Sequence, residues 1–402
     1  MNGINIKTYD SLKGRNLRDF VYAGFNARRG DDERKYLFLL NELSDFSQNP
    51  YFVYTIPTFV IAYKNGVPVG RVAVTYDSSY NKYHEKYGRS PVVWFGWLDF
   101  DDDKTGEKLL NTALEIANKY KESLNSDVSA IIGPGNPNEN GVVGLRKEGN
   151  FVFFMEPDQP IRYNKVFGDW EIDENGKGIW ISAKLDNDDI DRWSKVISKS
   201  SDFELRGYDI KKYGKLNVNE AFNSIKEIYN IAWDSAAHPH GRMLYDDEFK
   251  NIFSGLKMIL PFGWNEVYVA YKGNEPVAVS VALPNFNEVF SKDADSPKAK
   301  MAKELLGLLH VQFKQSYNGA RIFISGSTLH NHDGKLLVAK MTSETLKNLR
   351  SRGVNKITMS QLSVENTDVI NPVLRLIGVE KGGDIPHIPD KISRAVVYRH
   401  EI

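Results

Sequence analysis

The chain has 402 residues, 41% hydrophobic and 26% charged, enough to bury ordinary cores in two or three domains. Lysine and arginine total 52, and aspartate and glutamate also total 52, so there is no basic excess of the kind a general nucleic-acid or membrane-surface binder carries. With no cysteine, disulfides, thiolate zinc sites and a cysteine nucleophile are excluded, and no run approaches the apolar length of a membrane span or a signal-peptide core, so the expectation is a soluble, cytoplasmic protein.

In chain order, Ile4 to Tyr9 has strand character, and helical periodicity follows over Leu12 to Ala27 and Arg34 to Leu43. Ala62-Tyr63-Lys64-Asn65-Gly66-Val67-Pro68-Val69 sets a Gly/Asn turn between β-branched runs and predicts a hairpin. A strand over Val92 to Phe100, a long helix opened by Gly106-Glu107-Lys108-Leu109-Leu110, a strand over Ser129 to Gly133 and a shorter helix over Val142 to Lys147 come next. Gly178 to Leu185 is expected to close this half as a terminal strand, followed by a helical segment from Ile190 to Ser198.

The same order then recurs. Phe203 to Tyr208 reads as a strand, Val218 to Ala232 and Asp246 to Met258 as helices, and Ala270-Tyr271-Lys272-Gly273-Asn274-Glu275-Pro276-Val277 repeats the hairpin at a constant offset of 208 residues. Ser296 to Ser316 is an extra helical segment. A strand over Arg321 to Leu329, a long helix from Gly334-Lys335-Leu336-Leu337, a strand over Lys356 to Leu362, a helix over Asp368 to Leu376 and a terminal strand over Arg394 to His400 complete the second copy. The repeat predicts two α/β (α+β) domains, 1–200 and 201–402, with the boundary near Lys199 to Phe203.

This order resembles the GNAT acyltransferase superfamily. Asn49-Pro50-Tyr51-Phe52, Pro68-Val69-Gly70-Arg71-Val72-Ala73, Asn81 with His84, Trp94-Phe95-Gly96-Trp97 and Gly133-Pro134 with Asn136-Pro137 are similar to a group of bacterial tandem-GNAT proteins, mostly of unassigned function. Ile228-Tyr229-Asn230-Ile231-Ala232-Trp233, Leu283-Pro284-Asn285-Phe286-Asn287 and Tyr398-Arg399 carry the resemblance through the second half. It implies two fused GNAT-like domains, each a mixed, mostly antiparallel central sheet flanked by helices. It further implies acyl transfer, acetyl first, from acetyl-CoA or another acyl-CoA to a small amine or amino-acid-like acceptor.

GNAT domains hold the CoA pyrophosphate at the N-terminus of the long central helix, where unpaired amides and the helix dipole attract an anion. In the first half that slot reads Asp101-Asp102-Asp103-Lys104-Thr105-Gly106, good capping chemistry and poor phosphate chemistry, so this half is expected to be a degenerate copy. In the second half it reads His330-Asn331-His332-Asp333-Gly334-Lys335. His330, Asn331, Gly334 and Lys335, with Asn366 after the next strand, are therefore the candidate cofactor-binding residues. Asp333 and Leu336 depart from the family pattern.

The tyrosine that protonates the leaving thiolate in the family stands four residues before a glycine, and here Gly378 puts Leu374 in that place. Glu365 and Tyr398 are the substitute catalytic candidates. His238-Pro239-His240-Gly241-Arg242 falls in the connection that borders the acceptor pocket in GNAT folds. It makes His238, His240 and Arg242 candidate acceptor-binding residues, Arg242 as a bidentate anion partner. Two His-x-His motifs lack a third ligand, and no metal site is expected. Two alternatives stay open: a non-catalytic GNAT-fold ligand-binding or assembly protein, or an aminoacyl or long-acyl transferase. A tRNA user would show a basic stripe and a long-acyl user a deep apolar tunnel.

Overall fold

The computed structural model describes residues 3–124, 127–136, 141–173, 178–200, 207–213, 217, 220–233, 240–259, 266–313, 317–364, 366–379 and 385–402. Its first half runs β1 (Asn5–Tyr9), α1 (Gly14–Ala27), α2 (Leu39–Gln48), α3 (Tyr51–Tyr54), β2 (Ile56–Lys64), β3 (Val67–Tyr76), α4 (Ser78–Glu85), β4 (Val92–Phe100), α5 (Asp103–Ser123) and β5 (Ala130–Gly133). The short strands β6 (Gly135–Asn136), β7 (Val142–Val143), β8 (Leu145–Glu148) and β9 (Glu171–Ile172) follow, then β10 (Ile179–Leu185) and α6 (Asn187–Ser200). The second half runs β11 (Tyr208–Tyr213), α7 (Phe222–Ala232), α8 (Asp246–Ile259), β12 (Glu266–Lys272), β13 (Glu275–Pro284), α9 (Asn287–Phe290) and α10 (Pro297–Phe313). It ends with β14 (Gly319–Ser327), α11 (His332–Ser351), β15 (Lys356–Ser363), α12 (Thr367–Leu376), β16 (Ile392–Val396) and β17 (Tyr398–Glu401).

The hairpin repeat holds in three dimensions. β2 and β3 pair through Asn65-Gly66, with both turn residues at positive φ, and β12 and β13 pair through the matching turn. Two large sheets result, in the orders β1-β2-β3-β4-β5-β17-β9 and β11-β12-β13-β14-β15-β10-β16-β8. Each is antiparallel except at one place, β4 against β5 and β14 against β15, where the long helices α5 and α11 supply the crossovers that parallel strands need.

The terminal strands do not close the halves they follow in sequence. β10 crosses into the second sheet and pairs with β15, while β17 returns to the first sheet and pairs with β5. The expected terminal strand from Arg394 to His400 splits at Val397: β16 lies beside β10, and β17 lies beside β5. A cut at residue 200 therefore separates the hairpins and long helices but divides both sheets. Each exchanged strand carries apolar residues into a foreign core: Ile181, Ala183 and Leu185 pack with Leu346 and Ile357, and Tyr398 packs with Phe95 and Phe167. Burial of this kind stabilises by about 1.5–3 kcal/mol per large side chain.

Three local expectations are revised, the first being the helix over Arg34 to Leu43, which is a 3-10 turn over Asp32–Tyr36 followed after a break by α2. Residues Val142 to Lys147 form β7 and β8 rather than a helix, because β8 finds a partner in β16 and β7 in β6. The opening strand of the second half begins at Tyr208; residues 203–206 lie outside the described residues.

Charged groups between the halves complete the join, Arg242 and Lys300 buried and Asp293 exposed. Arg242 donates to Asp77 Oδ2 at 2.9 Å and, through two nitrogens, to Glu248 at 2.8 and 2.7 Å. Arg34 grips Asp293 by two bonds of 2.8 Å. Lys300 on α10 donates to the carbonyls of Lys35, Phe290 and Lys292.

Candidate functional site

β14 and β15 are in register only from Gly319–Lys356 to Ile322–Met359. Beyond that, each strand is held by its outer neighbour, β14 by β13 as far as Ser327 and β15 by β10 as far as Ser363, and the two part. The ladders slip at the same level: Phe323 is the extra residue between the partners of Val281 and Ala282, and β15 carries Ser360 and Gln361 opposite the single residue Ser182. Bulges of this kind bend a strand and end its pairing.

The parting opens a cavity of about 710 Å³. It is lined by Lys335, Val338, Ala339 and Thr342 of α11, by Tyr229 of α7 with Trp233 at its C-terminal end, and by Phe249 and Ile252 of α8. Trp233 stacks on Tyr229 at 4.7 Å and lies against β14 at Gly326, where a Cβ would come within 2.6 Å of the indole. The Ser360 hydroxyl is buried where the strands part and has no hydrogen-bond partner among the described residues. Arg321 also lines the cavity; burial pushes its guanidinium down to about 10, against the opposing pull of Glu156.

The structure brings four of the five expected cofactor residues to this cavity: His330, Gly334, Lys335 and Asn366. Asn331 does not line it. Its side chain caps α11 by accepting the Gly334 N–H at 3.1 Å, which uses one of the amides an anion would need. The glycine at 334 has a packing reason, since a Cβ there would lie 2.1 Å from the Leu329 carbonyl oxygen. Asp333 accepts from the Tyr208 hydroxyl at 3.1 Å.

The other candidates lie elsewhere. Tyr398 belongs to the first sheet, stacked on Phe167 at 4.1 Å with its hydroxyl on Asn164, which removes it from the cavity of the second half. His240 is fully buried between Trp94 and Trp180 and bonds Asp173 at 2.9 Å; Arg242 is saturated by Asp77 and Glu248. Both join the halves, and neither lines this cavity. His238 and Glu365 lie outside the described residues. The aromatic wall of Tyr229, Trp233 and Phe249 escaped the sequence reading as a site, although Tyr229 and Trp233 stand in a motif that carried the resemblance.

The equivalent slot in the first half is closed. Asp102 caps α5, accepting the Thr105 N–H at 2.9 Å and the Thr105 hydroxyl at 2.7 Å, and Lys64 holds Asp101 and Asp102 at 2.8 and 2.7 Å. Burial works to raise the Asp102 pKa, but Lys64 and Thr105 outweigh it and bring it down to about 2. Where β4 and β5 part, β6 fills the space: the Asn136 side chain accepts the Trp97 N–H at 2.6 Å, and a Cβ on Gly96 would meet the Gly135 carbonyl at 2.2 Å. Phe100, stacked on Tyr163 at 4.0 Å, packs against Gly106.

Among the described residues, no group of three or more histidine, aspartate or glutamate side chains is placed to hold a metal ion. No described helix is long and apolar enough to cross a membrane.

No family model matches the sequence. No curated protein matches it either. Solved structures do match in fold. A tandem GNAT protein from the clavulanic acid biosynthesis pathway, solved without AcCoA, superposes with a TM-score of 0.54 at 10% identity, covering 99% of this chain and 98% of that one. A GCN5-related N-acetyltransferase from Kribbella flavida (TM-score 0.47, 9% identity) covers 98% of this chain and 71% of its own. A probable N-acyltransferase from Enterococcus faecalis (TM-score 0.48, 9% identity) covers 100% and 73%. Two mixed sheets flanked by helices, with the superposition on the tandem GNAT structure over nearly the whole chain, give this chain the tandem GNAT fold.

Proposed function

We propose that the protein is an acyl-CoA-dependent N-acyltransferase, with its donor site in the second half and a small amine as acceptor. The observation that carries this reading is the parting of β14 from β15 into a 710 Å³ cavity, in a fold whose first half has the same gap filled. The residues present fit the pantetheine end of such a donor. Two strand edges are unpaired toward the gap, the Ser360 hydroxyl has no described partner, and Asn366 stands at the start of α12. Lys335 at the rim supplies positive charge for the phosphate end and His330 a ring nitrogen for hydrogen bonding, where Asn331 has already used the Gly334 amide.

Bound there, an acyl-CoA would supply an activated acyl carbonyl; acetyl is the simplest acyl group. The chain's own part is to hold the thioester arm, keep water from it with the aromatic wall and receive the acceptor from the α7–α8 side. Tyr229 is the only tyrosine among the described residues lining the cavity, which makes its phenol the candidate to protonate a leaving thiolate, a step Leu374 cannot perform.

A second reading is favoured by one observation, the occupied Gly334 amide: a protein that kept the gap as a ligand site without the transfer chemistry. Calorimetric titration of acetyl-CoA, followed by thiol release with a panel of amines, separates the two. Micromolar binding, weakened at least about ten-fold by Ala339→Trp on the α11 wall, and amine-dependent thiol release are expected. Binding without release selects the second reading, and silence toward acetyl-CoA and longer acyl-CoAs removes the first.

A further inference from the structure

A second cavity, of about 490 Å³, lies between the first half, whose cofactor slot is closed, and the second. It is framed by α2, the ends of β3 and β4, the segment 152–159 and α8 of the second half, and it opens to solvent past the exposed Asn41, Ser44 and Gln48. Its charge is lopsided. Five carboxylates line it against two guanidinium groups, and those two are already engaged. Arg71 donates to Glu42 through two bonds of 2.8 Å and to Asp99 at 2.8 Å; Arg28 donates to Asp99 at 2.7 Å and pairs with Asp158 at 3.1 Å. Glu248 is held by Arg242.

Among the described residues, the fifth carboxylate, Asp45, is supported only by amides, Asn49 Nδ2 at 2.8 Å and the side chain of Asn251. A half-buried carboxylate served by neutral donors beside other carboxylates is a poor resting arrangement and a good receptor for a cation. A second observation points the same way. Gln159 lines the cavity at 3% exposure, and its side-chain oxygen has no hydrogen-bond partner among the described residues, so a buried acceptor there lacks a donor. Aromatic side chains, Trp97 and Phe154 among them, form part of the remaining wall, and such rings favour cations and hydrocarbon alike. Trp97 and Met155, both lining the cavity, hold φ of 49° and 63°, strained values for bulky side chains of the kind that gather at ligand sites.

We propose that this cavity binds a small organic ammonium ion, its charge held by the Asp45 carboxylate and the Gln159 carbonyl and its hydrocarbon by the aromatic wall. An ammonium group brings the donors that both oxygens lack and offsets the excess of negative charge. Asp45 and Gln159 line only this cavity, although it shares Gly141, Leu244 and Ile252 with the donor cavity, and the proposal would stand if the donor cavity proved empty of function.

The test is calorimetric titration of the full-length protein with phenethylamine and cadaverine, each against its neutral alcohol analogue, 2-phenylethanol and 1,5-pentanediol. The expected result is binding of an amine at least about ten-fold tighter than its alcohol, weakened by a similar factor in Asp45→Asn and in Gln159→Leu. Ala339→Trp, in the other cavity, leaves that binding unchanged. Thermal unfolding verifies that each variant is folded, and the two independent variants guard against the failure of either one. No amine binding in the wild type, equal binding of amines and alcohols, or unchanged binding in Asp45→Asn would each overturn the proposal.

Discussion

Asn331 Oδ1 accepts the backbone N–H of Gly334 at 3.1 Å, so the helix that would receive the donor's phosphates is already capped by its own chain. In the first half Asp102 does the same for Thr105 at 2.9 Å, and there the helix start is acidic as well. The difference between the two slots is one of charge: Lys335 stands at the rim of the second, Asp101 and Asp103 beside the first.

Lys335 is exposed and sits at the donor cavity, so its charge can be reversed without disturbing the core. Lys335→Glu is expected to weaken CoA binding about ten-fold or more at low salt, with the loss shrinking as salt rises. Pantetheine, which lacks the phosphates, should bind wild type and variant alike. Titration of both ligands at two ionic strengths checks this, and an equal loss for both would place the phosphates elsewhere.

The exchange of β10 and β17 predicts that neither half folds alone. Residues 1–200 lack β17, which lies between β5 and β9, and residues 201–402 lack β10, which lies between β15 and β16. Each fragment would expose strand edges and an apolar strip that the other covers. Expressed singly, the halves should be insoluble or unfolded by circular dichroism; expressed together, they should form a soluble complex. A folded, monomeric 1–200 fragment would contradict this.

What the sequence conveyed follows from the range of the interactions involved. The hairpins, the long helices and their caps are written in local signals, such as Asn65-Gly66 at a turn or Asp102 before α5, and these stand where expected. Strand exchange is not local. Nothing in the Gly178 to Leu185 segment tells which sheet it joins, because an apolar strand fits either core and the choice falls to β15. The site divides in the same way. Lys335 and Asn366 stand at the cavity where the resemblance implied a donor site, whereas His240 and Arg242, expected at an acceptor pocket, are buried and paired by Asp173 and Asp77 from distant segments and by Glu248 nearby. Asp45 gave no signal at all: its setting depends on Asn251, about 200 residues away.

Asp45 makes a prediction in pH. Burial, with Glu42 on the same helix adding to it and Asn49 and Asn251 opposing, pushes its carboxyl up to about 6; Glu248 from α8, Arg71 from β3 and Asp99 from β4 share the cavity. A folded-state pKa above the unfolded one means that the folded state binds the extra proton between those values. The associated stability is present below about pH 4 and lost as pH rises through 6. Asp45→Asn should therefore be more stable than wild type at pH 7–8, by roughly 1–3 kcal/mol, with the difference fading below pH 4. A bound ammonium ion, which needs the carboxylate, should reverse the order at pH 7–8 and lose affinity as pH falls below 6. Urea unfolding across pH, with and without phenethylamine, measures both effects.

Lys300 gives the largest expected stability loss. Its ammonium is buried and donates to the Lys35, Phe290 and Lys292 carbonyls at 2.8–3.0 Å, beside Glu304 at 3.7 Å, and Glu304 in turn accepts the Leu39 and Leu40 amides that open α2. Lys300→Met keeps the hydrocarbon stem but leaves three carbonyls without that donor and Glu304 without its cation, which should cost about 3–5 kcal/mol. Glu304→Gln should cost less, since its amide oxygen still accepts one of the two backbone N–H groups. Burial also pushes the Lys300 ammonium down to about 8, so between pH 8 and 10 the unfolded chain binds more protons than the folded one and the wild type gains stability as pH rises. The gap between wild type and Lys300→Met should therefore widen over that range. Denaturant midpoints at pH 7, 8.5 and 10 read this directly, and a gap that narrows would mean the lysine keeps its ordinary proton affinity despite its burial.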